Sequence, residues 1–345
     1  MFCRSPFERA EIMPNGDVFL CSPGWLPKPI GNLNKNSFKE IWTSDAAKDV
    51  RRSVTDGSFS NCMSQYCPYL QAEQSGQANS IFSPLENESQ PKSEWSKKIA
   101  SGWTPPGPSI LNLAYDATCN LSCPSCRKEM ISLRPGTAEY QAADRFTTGV
   151  LSALPSIRRL KVAGNGEPFA SRLYWKILMA IDRKVHPDLR IQLHTNGLLF
   201  TPERWKDLEK AHGLIDSVEV SVDAATAETY AVNHRGGSFE VLAERLAFIG
   251  QLRASGEIKK LTLSFVVQAN NFREMPGFVT WARQFHCDAI HFSRLADWAT
   301  FPFAVLQKRS IHLPQHPEHS EFHKVLKDPV LAEPGVFLGS LSALV

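Results

Sequence analysis

From residue 110 onward the chain alternates short β-branched runs with amphipathic helical stretches, a rhythm that admits few folds. The runs are 110–115, 160–163, 191–195, 218–222, 261–267 and 289–293. Helical stretches lie near 137–153, 171–184, 202–211, 238–254 and 275–286. Thr201-Pro202 supplies a cap and a proline suited to a first helical turn, and Gly213 and Gly256 stand where helices should stop. Strand–helix alternation repeated this often implies a parallel sheet with helices outside it. Six such steps are too few to close an eight-fold barrel. The expected class is therefore α/β, a partial (β/α)6 TIM-like barrel accompanied by a small cysteine-rich metal-binding module.

That module is read from residues 1–70, which are short of helix periodicity. Pro14-Asn15-Gly16-Asp17 predicts a hairpin turn, and Ser37 can cap a helix carrying Phe38, Ile41 and Trp42. Little core of its own is expected there, and a metal would supply what the core does not. Residues 71–109 read as a polar linker ending in Pro105-Pro106-Gly107-Pro108. The expected division is module 1–70, linker 71–109, barrel 110–300 and an extension 301–345. The apolar Val336, Phe337, Leu338, Leu341 and Val345 should pack that extension on the barrel.

The 345 residues carry 38 basic and 35 acidic side chains, a net +3, so nothing suggests a polyanion binder and no nucleic acid is expected. No apolar run approaches the roughly 20 residues of a membrane span, so no membrane partner is expected. Residues 1–14 lack an apolar signal region, which points to a cytoplasmic location.

The eight cysteines are grouped: Cys3, Cys21, Cys62 and Cys67, then Cys119, Cys123 and Cys126, with Cys287 alone. Clustering in a large chain without a signal favours metal or redox chemistry over disulfides. The sharpest motif is Cys119-Asn120-Leu121-Ser122-Cys123-Pro124-Ser125-Cys126, placed directly after the first barrel strand. Ligands for a reactive centre belong at the carboxyl end of barrel strands. Three thiolates can hold three irons of a [4Fe–4S] cube and leave the fourth open to an outside ligand.

This spacing, its position and the six βα steps resemble the radical S-adenosylmethionine (radical SAM) superfamily. The resemblance implies an oxidoreductase or modifying enzyme. Its cluster reductively cleaves S-adenosylmethionine, and the 5′-deoxyadenosyl radical abstracts a hydrogen from the substrate. Cys119, Cys123 and Cys126 would be the cluster ligands. Asn165-Gly166-Glu167-Pro168 resembles the family's Gly-Gly-Glu-Pro motif, with Asn165 in place of the first glycine. Thr195-Asn196-Gly197 resembles its Thr-Asn-Gly turn. Ser221 and Asp223 would face the ribose or methionine, Arg235 the methionine carboxylate, and Gln268–Asn271 with Phe292–Arg294 would flank the adenine. Ser125 stands where the family often has an aromatic residue.

Cys3 and Cys21, with Ile30-Gly31-Asn32-Leu33 and Phe38-Lys39-Glu40-Ile41-Trp42, resemble the opening of the SPASM domain of such enzymes. With Cys62 and Cys67 this implies a shorter relative holding one auxiliary [4Fe–4S] cluster, here ahead of the barrel rather than behind it. Spacing alone leaves a structural zinc open. The implied partners are S-adenosylmethionine, a small-molecule, carbohydrate or peptide substrate, and a reductase, flavodoxin or ferredoxin as electron donor. Oxidation of the substrate needs a proton acceptor, for which Asp297 and His194 are the candidates. A non-catalytic iron–sulfur electron-transfer or redox-sensing protein is the alternative, and a methyltransferase using the same cofactor is a third reading. His312, His316, His319 and His323 are interrupted by Pro314 and Pro317, so no single helix face presents all four and no metal is expected there. Cys287 reads as a buried, inert thiol.

Overall fold

The computed structural model describes residues 3–67, 69–71, 97, 101, 103 and 105–345, so most of the expected linker lies outside the described residues. The chain packs as two compact units, Met1–Asp116 with Arg134–Asn165, and Ala117–Leu133 with Gly166–Val345.

In the first unit, α1 (Ser5–Glu8) leads into β1 (Arg9–Ile12) and β2 (Asp17–Phe19). They form the expected hairpin, with Ile12 opposite Val18. β3 (Gly31–Asn32) pairs antiparallel with β2. A side chain at Gly31 would put its Cβ 2.8 Å from Ile41, so this close approach requires glycine. α2 (Phe38–Trp42) opens with a full capping box between Ser37 and Glu40. α3 (Asp45–Thr55) follows, capped by Ser44. β4 (Ile110–Leu113) pairs parallel with β1, and β5 (Arg159–Val162) pairs parallel with β4 after α4 (Ala138–Ala153).

The expectation of little helix and little core in residues 1–70 is corrected here. Ala10, Ile12, Val18, Leu20, Ile41 and Trp42 are buried, and so are Ala47, Val50 and Val54 of α3. The periodicity of α3 escapes notice because its apolar face is made of short alanines and valines and includes an arginine. Arg51 is buried, stacks 4.4 Å over the Trp42 ring and donates from Nε to the Pro6 carbonyl and from Nη1 to the Trp42 carbonyl. These bonds offset part of the cost of burying the charge, while Nη2 has no hydrogen-bond partner among the described residues.

The second unit repeats strand then helix. β6 (Arg190–Thr195), β7 (Ile215–Ser221), β8 (Lys260–Val267), β9 (Ala289–Arg294) and the short β10 (Val336–Phe337) lie side by side, all parallel. Between them run α5 (Arg172–Ala180, ahead of β6), α6 (Pro202–Asp207), α7 (Ala227–Asn233), α8 (Phe239–Ala254) and α9 (Met275–Ala282). Ser171, Thr201, Thr226 and Ser238 each cap a helix by accepting a backbone N–H three residues on. α10 (Phe303–Arg309) and α11 (His319–Leu326) precede β10, whose pairing with β9 and the buried Leu341 tie this segment to the sheet, whereas Phe337 and Val345, expected to pack there, are exposed. The fold class is that of the α/β expectation, with six βα steps counted along the chain, and β10 adds a parallel strand beside β9 that the expectation did not contain.

The sheet faces of this unit differ. Ile191, Leu193, Val218, Val220, Leu261, Leu263, Phe265, Ile290 and Phe292 are buried on one side. Phe278 of α9 packs on that side, 4.9 Å from Phe265. The alternate residues Gln192, His194, Glu219, Ser221, Thr262, Ser264, His291 and Ser293 are half-buried and polar. Register carries this polar face across strands, placing His194 opposite Glu219, Glu219 opposite Thr262, and Ser264 opposite both Ser221 and His291.

Candidate functional site

The cysteine loop follows β4 within the second unit. Cys119 is buried, Cys123 half-buried and Cys126 exposed. The backbone N–H groups of Cys126 and Arg127 both bond the Cys123 carbonyl, which curls the Cys-x2-Cys segment into a tight turn. Burial pushes the Cys123 thiol far up, and Asp223, Cys119 and Cys126 add to the rise. Cys119 rises for the same first reason. Such thiols keep their protons until a cation takes their place.

Donors already point at the sulfurs. Leu121 N–H lies 3.4 Å and Asn196 Nδ2 3.7 Å from Cys119 Sγ, and Arg127 Nη2 lies 3.3 Å from Cys126 Sγ. Arg127 is itself buried and anchored by Nη1 to the Ala117 carbonyl. A fixed guanidinium against three thiolates offsets their mutual repulsion. The donor set therefore fits an anionic, thiolate-held cluster.

Glu167 is the second fixture, with no exposed surface. Its carboxylate accepts from Thr195 Oγ1 at 2.7 Å, Asn196 N–H at 2.7 Å and Phe169 N–H at 3.2 Å. Asn196 also donates to Asn120 Oδ1, so Thr195-Asn196 links the carboxylate to the cysteine loop. Gly197 takes φ +79°, and a Cβ there would stand 3.0 Å from Leu242 and Val220, so the turn needs glycine.

Asp223 follows β7 with φ +57°, a conformation its surroundings enforce. Its Oδ1 accepts from Val266 N–H, its Oδ2 lies 3.2 Å from His234 Nε2, and its carbonyl accepts from Asn233 and Asn271. Gln268 is fully buried; Arg309 donates to its Oε1, while its Nε2 has no hydrogen-bond partner among the described residues. The Tyr230 hydroxyl, buried and within electrostatic reach of Cys123, Asp223 and Glu167, likewise has none. The orphaned Tyr230 hydroxyl near Cys123 fits a polar cofactor that would complete it, and Gln268 Nε2 is a second orphaned donor in the same unit.

The other expected residues are placed as follows. Arg235 is exposed and clamps the cysteine loop, donating from Nε to Ser122 Oγ and from Nη2 to the Lys128 carbonyl. Ser221 Oγ lies 2.8 Å from His194 Nε2 on the polar sheet face. Asn165 and Gly166 form the turn after β5, Gly166 at φ +92°. Asp297 is exposed, and its carboxylate accepts the Ala299 N–H of a surface turn. Arg127, Tyr230 and Asn120 belong to this site but carry no sequence signal beyond proximity to the motifs.

In the first unit, Cys3, Cys21, Cys62 and Cys67 line one recess with Trp25 and Tyr69. Burial, reinforced by the neighbouring thiols, pushes Cys3 up to about 12 and Cys62 up to about 11. Four thiols lining one recess are a donor set that fits full cysteine ligation of one centre.

Comparison with known proteins adds the following. The profile of the Radical SAM superfamily matches residues 117–256, and that of SPASM, described as an iron–sulfur cluster-binding domain, matches residues 3–68. Mycofactocin maturase MftC of Mycobacterium tuberculosis is 26% identical over 179 residues, covering 52% of this chain and 42% of the relative. AdoMet-dependent heme synthase of Methanosarcina barkeri is 30% identical over 187 residues, covering 53% of this chain and 50% of the relative. The crystal structure of Streptococcus suis SuiB superposes with a TM-score of 0.47 at 11% identity, over 85% of this chain and 60% of that one. The chain spans about half the length of the curated relatives it matches. No helix among the described residues is long and apolar enough to cross a membrane.

Proposed function

We infer the function of this chain from its membership of the Radical SAM superfamily through residues 117–256, with a SPASM domain at residues 3–68. Its cofactors are a [4Fe–4S] cluster and S-adenosylmethionine, with an auxiliary iron–sulfur cluster in the SPASM domain. We propose that Cys119, Cys123 and Cys126 hold the first cluster, and Cys3, Cys21, Cys62 and Cys67 a second, auxiliary [4Fe–4S] cluster. The division into module 1–70, linker 71–109, barrel 110–300 and extension 301–345 is part of the same proposal. When bound, the cluster and S-adenosylmethionine supply a 5′-deoxyadenosyl radical that abstracts hydrogen from a substrate.

The observation that carries this reading is the link from Glu167 through the Thr195-Asn196 turn to Cys119, with the orphaned Tyr230 hydroxyl within electrostatic reach of Cys123 and Glu167. In it Glu167 fixes the Thr195-Asn196 turn, whose Asn196 amide steadies Cys119. Gly166, Glu167, Thr195, Asn196, Ser221, Asp223 and Gln268, with Asn165 and Arg235, would bind the cofactor. Arg235 does so through the loop it clamps. Tyr230 and Gln268 offer N–H and O–H groups to its polar atoms.

The substrate is proposed to lie on the polar face of β6–β9. A face of hydroxyls, imidazoles and carboxylate suits a hydroxyl- or amide-rich molecule, such as a carbohydrate or a peptide segment. His194 is the better-placed proton acceptor of the two candidates. It stands on that face beside Ser221, whereas Asp297 is committed to a surface turn. A reductase, flavodoxin or ferredoxin would deliver the electron.

Formation of 5′-deoxyadenosine by anaerobically reconstituted protein with dithionite tests the reading. Its absence in protein with both clusters assembled sinks it in favour of electron transfer or redox sensing. S-adenosylhomocysteine as the main product points to methyl transfer. Two variants refine the assignment. Arg127→Met removes the charge held against Cys126. The barrel cluster should then become harder to reduce, by at least about 60 mV, a tenfold change in a one-electron equilibrium. An unchanged midpoint in an EPR-monitored redox titration would refute that role. Cys62→Ala should remove roughly half the iron while leaving cofactor cleavage intact. Full iron content in that variant, or zinc in the wild-type module, would overturn the auxiliary assignment.

A further inference from the structure

Four histidines near the chain end take no part in this chemistry: His312, His316, His319 and His323. Pro314 and Pro317 do keep them off a single face, yet two of them meet. His319 and His323 sit one turn apart on α11, with Nε2 atoms 3.0 Å apart and rings inclined at 76°.

The far nitrogen of His319, Nδ1, lies 3.0 Å from the Ile311 carbonyl oxygen. A carbonyl only accepts, so Nδ1 carries the hydrogen and Nε2 presents a bare lone pair. A backbone carbonyl holding the far N–H is the arrangement that orients a metal-bound imidazole. His316 is arranged otherwise. Its Nδ1 accepts the Glu318 N–H and its Nε2 lies 3.0 Å from the Lys308 carbonyl, so both nitrogens are used. His312 is half-buried, and its Nδ1 has no hydrogen-bond partner among the described residues. It lies within electrostatic reach of His319, and also of Arg294, whose charge opposes a cation there.

We propose that His319 and His323 form a divalent transition-metal site of the zinc class, with water completing the shell. Two imidazole nitrogens at about 2.0–2.1 Å from one tetrahedral ion stand about 3.3 Å apart. The observed 3.0 Å separation therefore needs little adjustment. Imidazole donors suit zinc, nickel and copper, whereas calcium and magnesium want oxygen. Among the described residues no three ligating side chains surround one point, so the two imidazoles alone hold the ion for the protein. The rival arrangement is a plain hydrogen bond, with His323 Nε2–H donating to His319.

The test uses cluster-loaded protein, desalted, supplied with equimolar Zn²⁺ and desalted again. Retained zinc and iron are measured by mass spectrometry and the thermal midpoint is recorded. Wild type should retain about one zinc per chain beyond its clusters, with a raised midpoint. His319→Ala and His323→Ala should each weaken zinc binding at least tenfold and abolish the rise, and His312→Ala should leave it unchanged. His316→Ala should behave as wild type. Iron content and 5′-deoxyadenosine formation should be unchanged in all four. His319→Gln and His323→Gln, which keep volume and polarity, should show the same zinc loss if an alanine variant fails to fold. Wild-type protein that retains no zinc, or zinc retention that survives His319→Ala combined with His323→Ala, overturns the site.

Discussion

Replacing Cys123 with alanine is expected to abolish 5′-deoxyadenosine formation, lowering it by more than about a thousandfold, the scale for removing a group on which the chemical step depends outright. The loop offers only three thiols, and Cys123 lies between the other two in a turn built on its own carbonyl. Alanine leaves that turn intact, since it changes no backbone bond. What it removes is one of three iron ligands, and two thiolates do not retain a cube. Iron should fall by roughly half, because the four-thiol recess of the first unit is untouched. Cys287→Ser is the control, since that thiol, half-buried rather than buried as expected, donates to the Ala282 carbonyl. A Cys123→Ala protein that still cleaved the cofactor at the wild-type rate would remove the loop from the mechanism.

The second large effect is expected at Glu167. Alanine there leaves the Thr195 hydroxyl and the Asn196 and Phe169 N–H groups without their acceptor. Each buried unsatisfied donor costs about 1–3 kcal/mol. Three of them at the low end, roughly 3 kcal/mol, are a large share of the 5–15 kcal/mol that holds a domain folded. The thermal midpoint should drop by roughly 6–12 °C at about 2–4 °C per kcal/mol, and cofactor binding should fall with the Thr195-Asn196 turn. A variant with wild-type midpoint and affinity would show that the carboxylate ties nothing together.

Glu167 also gives a pH signature. Burial pushes its carboxyl up to about 7, against the lowering pull of the Asn196, Thr195 and Phe169 donors and of Arg127. Between its unfolded value near 4.5 and about 7, the folded state holds a proton that the unfolded state has released. The corresponding stability is complete below pH 4.5 and is lost as pH rises through about 7. It amounts to something on the order of 3 kcal/mol. The midpoint of cofactor-free protein should therefore fall across that window, and Glu167→Gln should flatten the fall. Parallel profiles for the two proteins would count against the assignment.

What the sequence made legible is local. The cysteine spacing, the Thr195-Asn196-Gly197 turn, the capping residues and the strand runs each state their structure within a few positions. Arg127 illustrates what stays hidden. It reads as one more surface arginine until the chain curls and sets its guanidinium against Cys126. Tyr230 lies in α7, a helix too short to announce itself by periodicity, and its place follows from stacking 4.8 Å from His234. α3 was hidden by charged residues that the fold buries or turns outward. Asp297 looked like a strand-end carboxylate, but strand β9 stops three residues earlier and a surface turn takes it. The four histidines from 312 to 323 were judged together by the prolines that break the first part of the run, whereas one turn of α11 places the last two together.

The alternation along β6–β9 has a thermodynamic consequence. A face made of Gln192, His194, Glu219, Ser221, Thr262, Ser264, His291 and Ser293 holds water by hydrogen bonds. A molecule that settles on it exchanges those bonds for its own and removes little hydrocarbon from solvent. Calorimetry of such an association would return a heat-capacity change near zero, and its enthalpy would hardly vary with temperature.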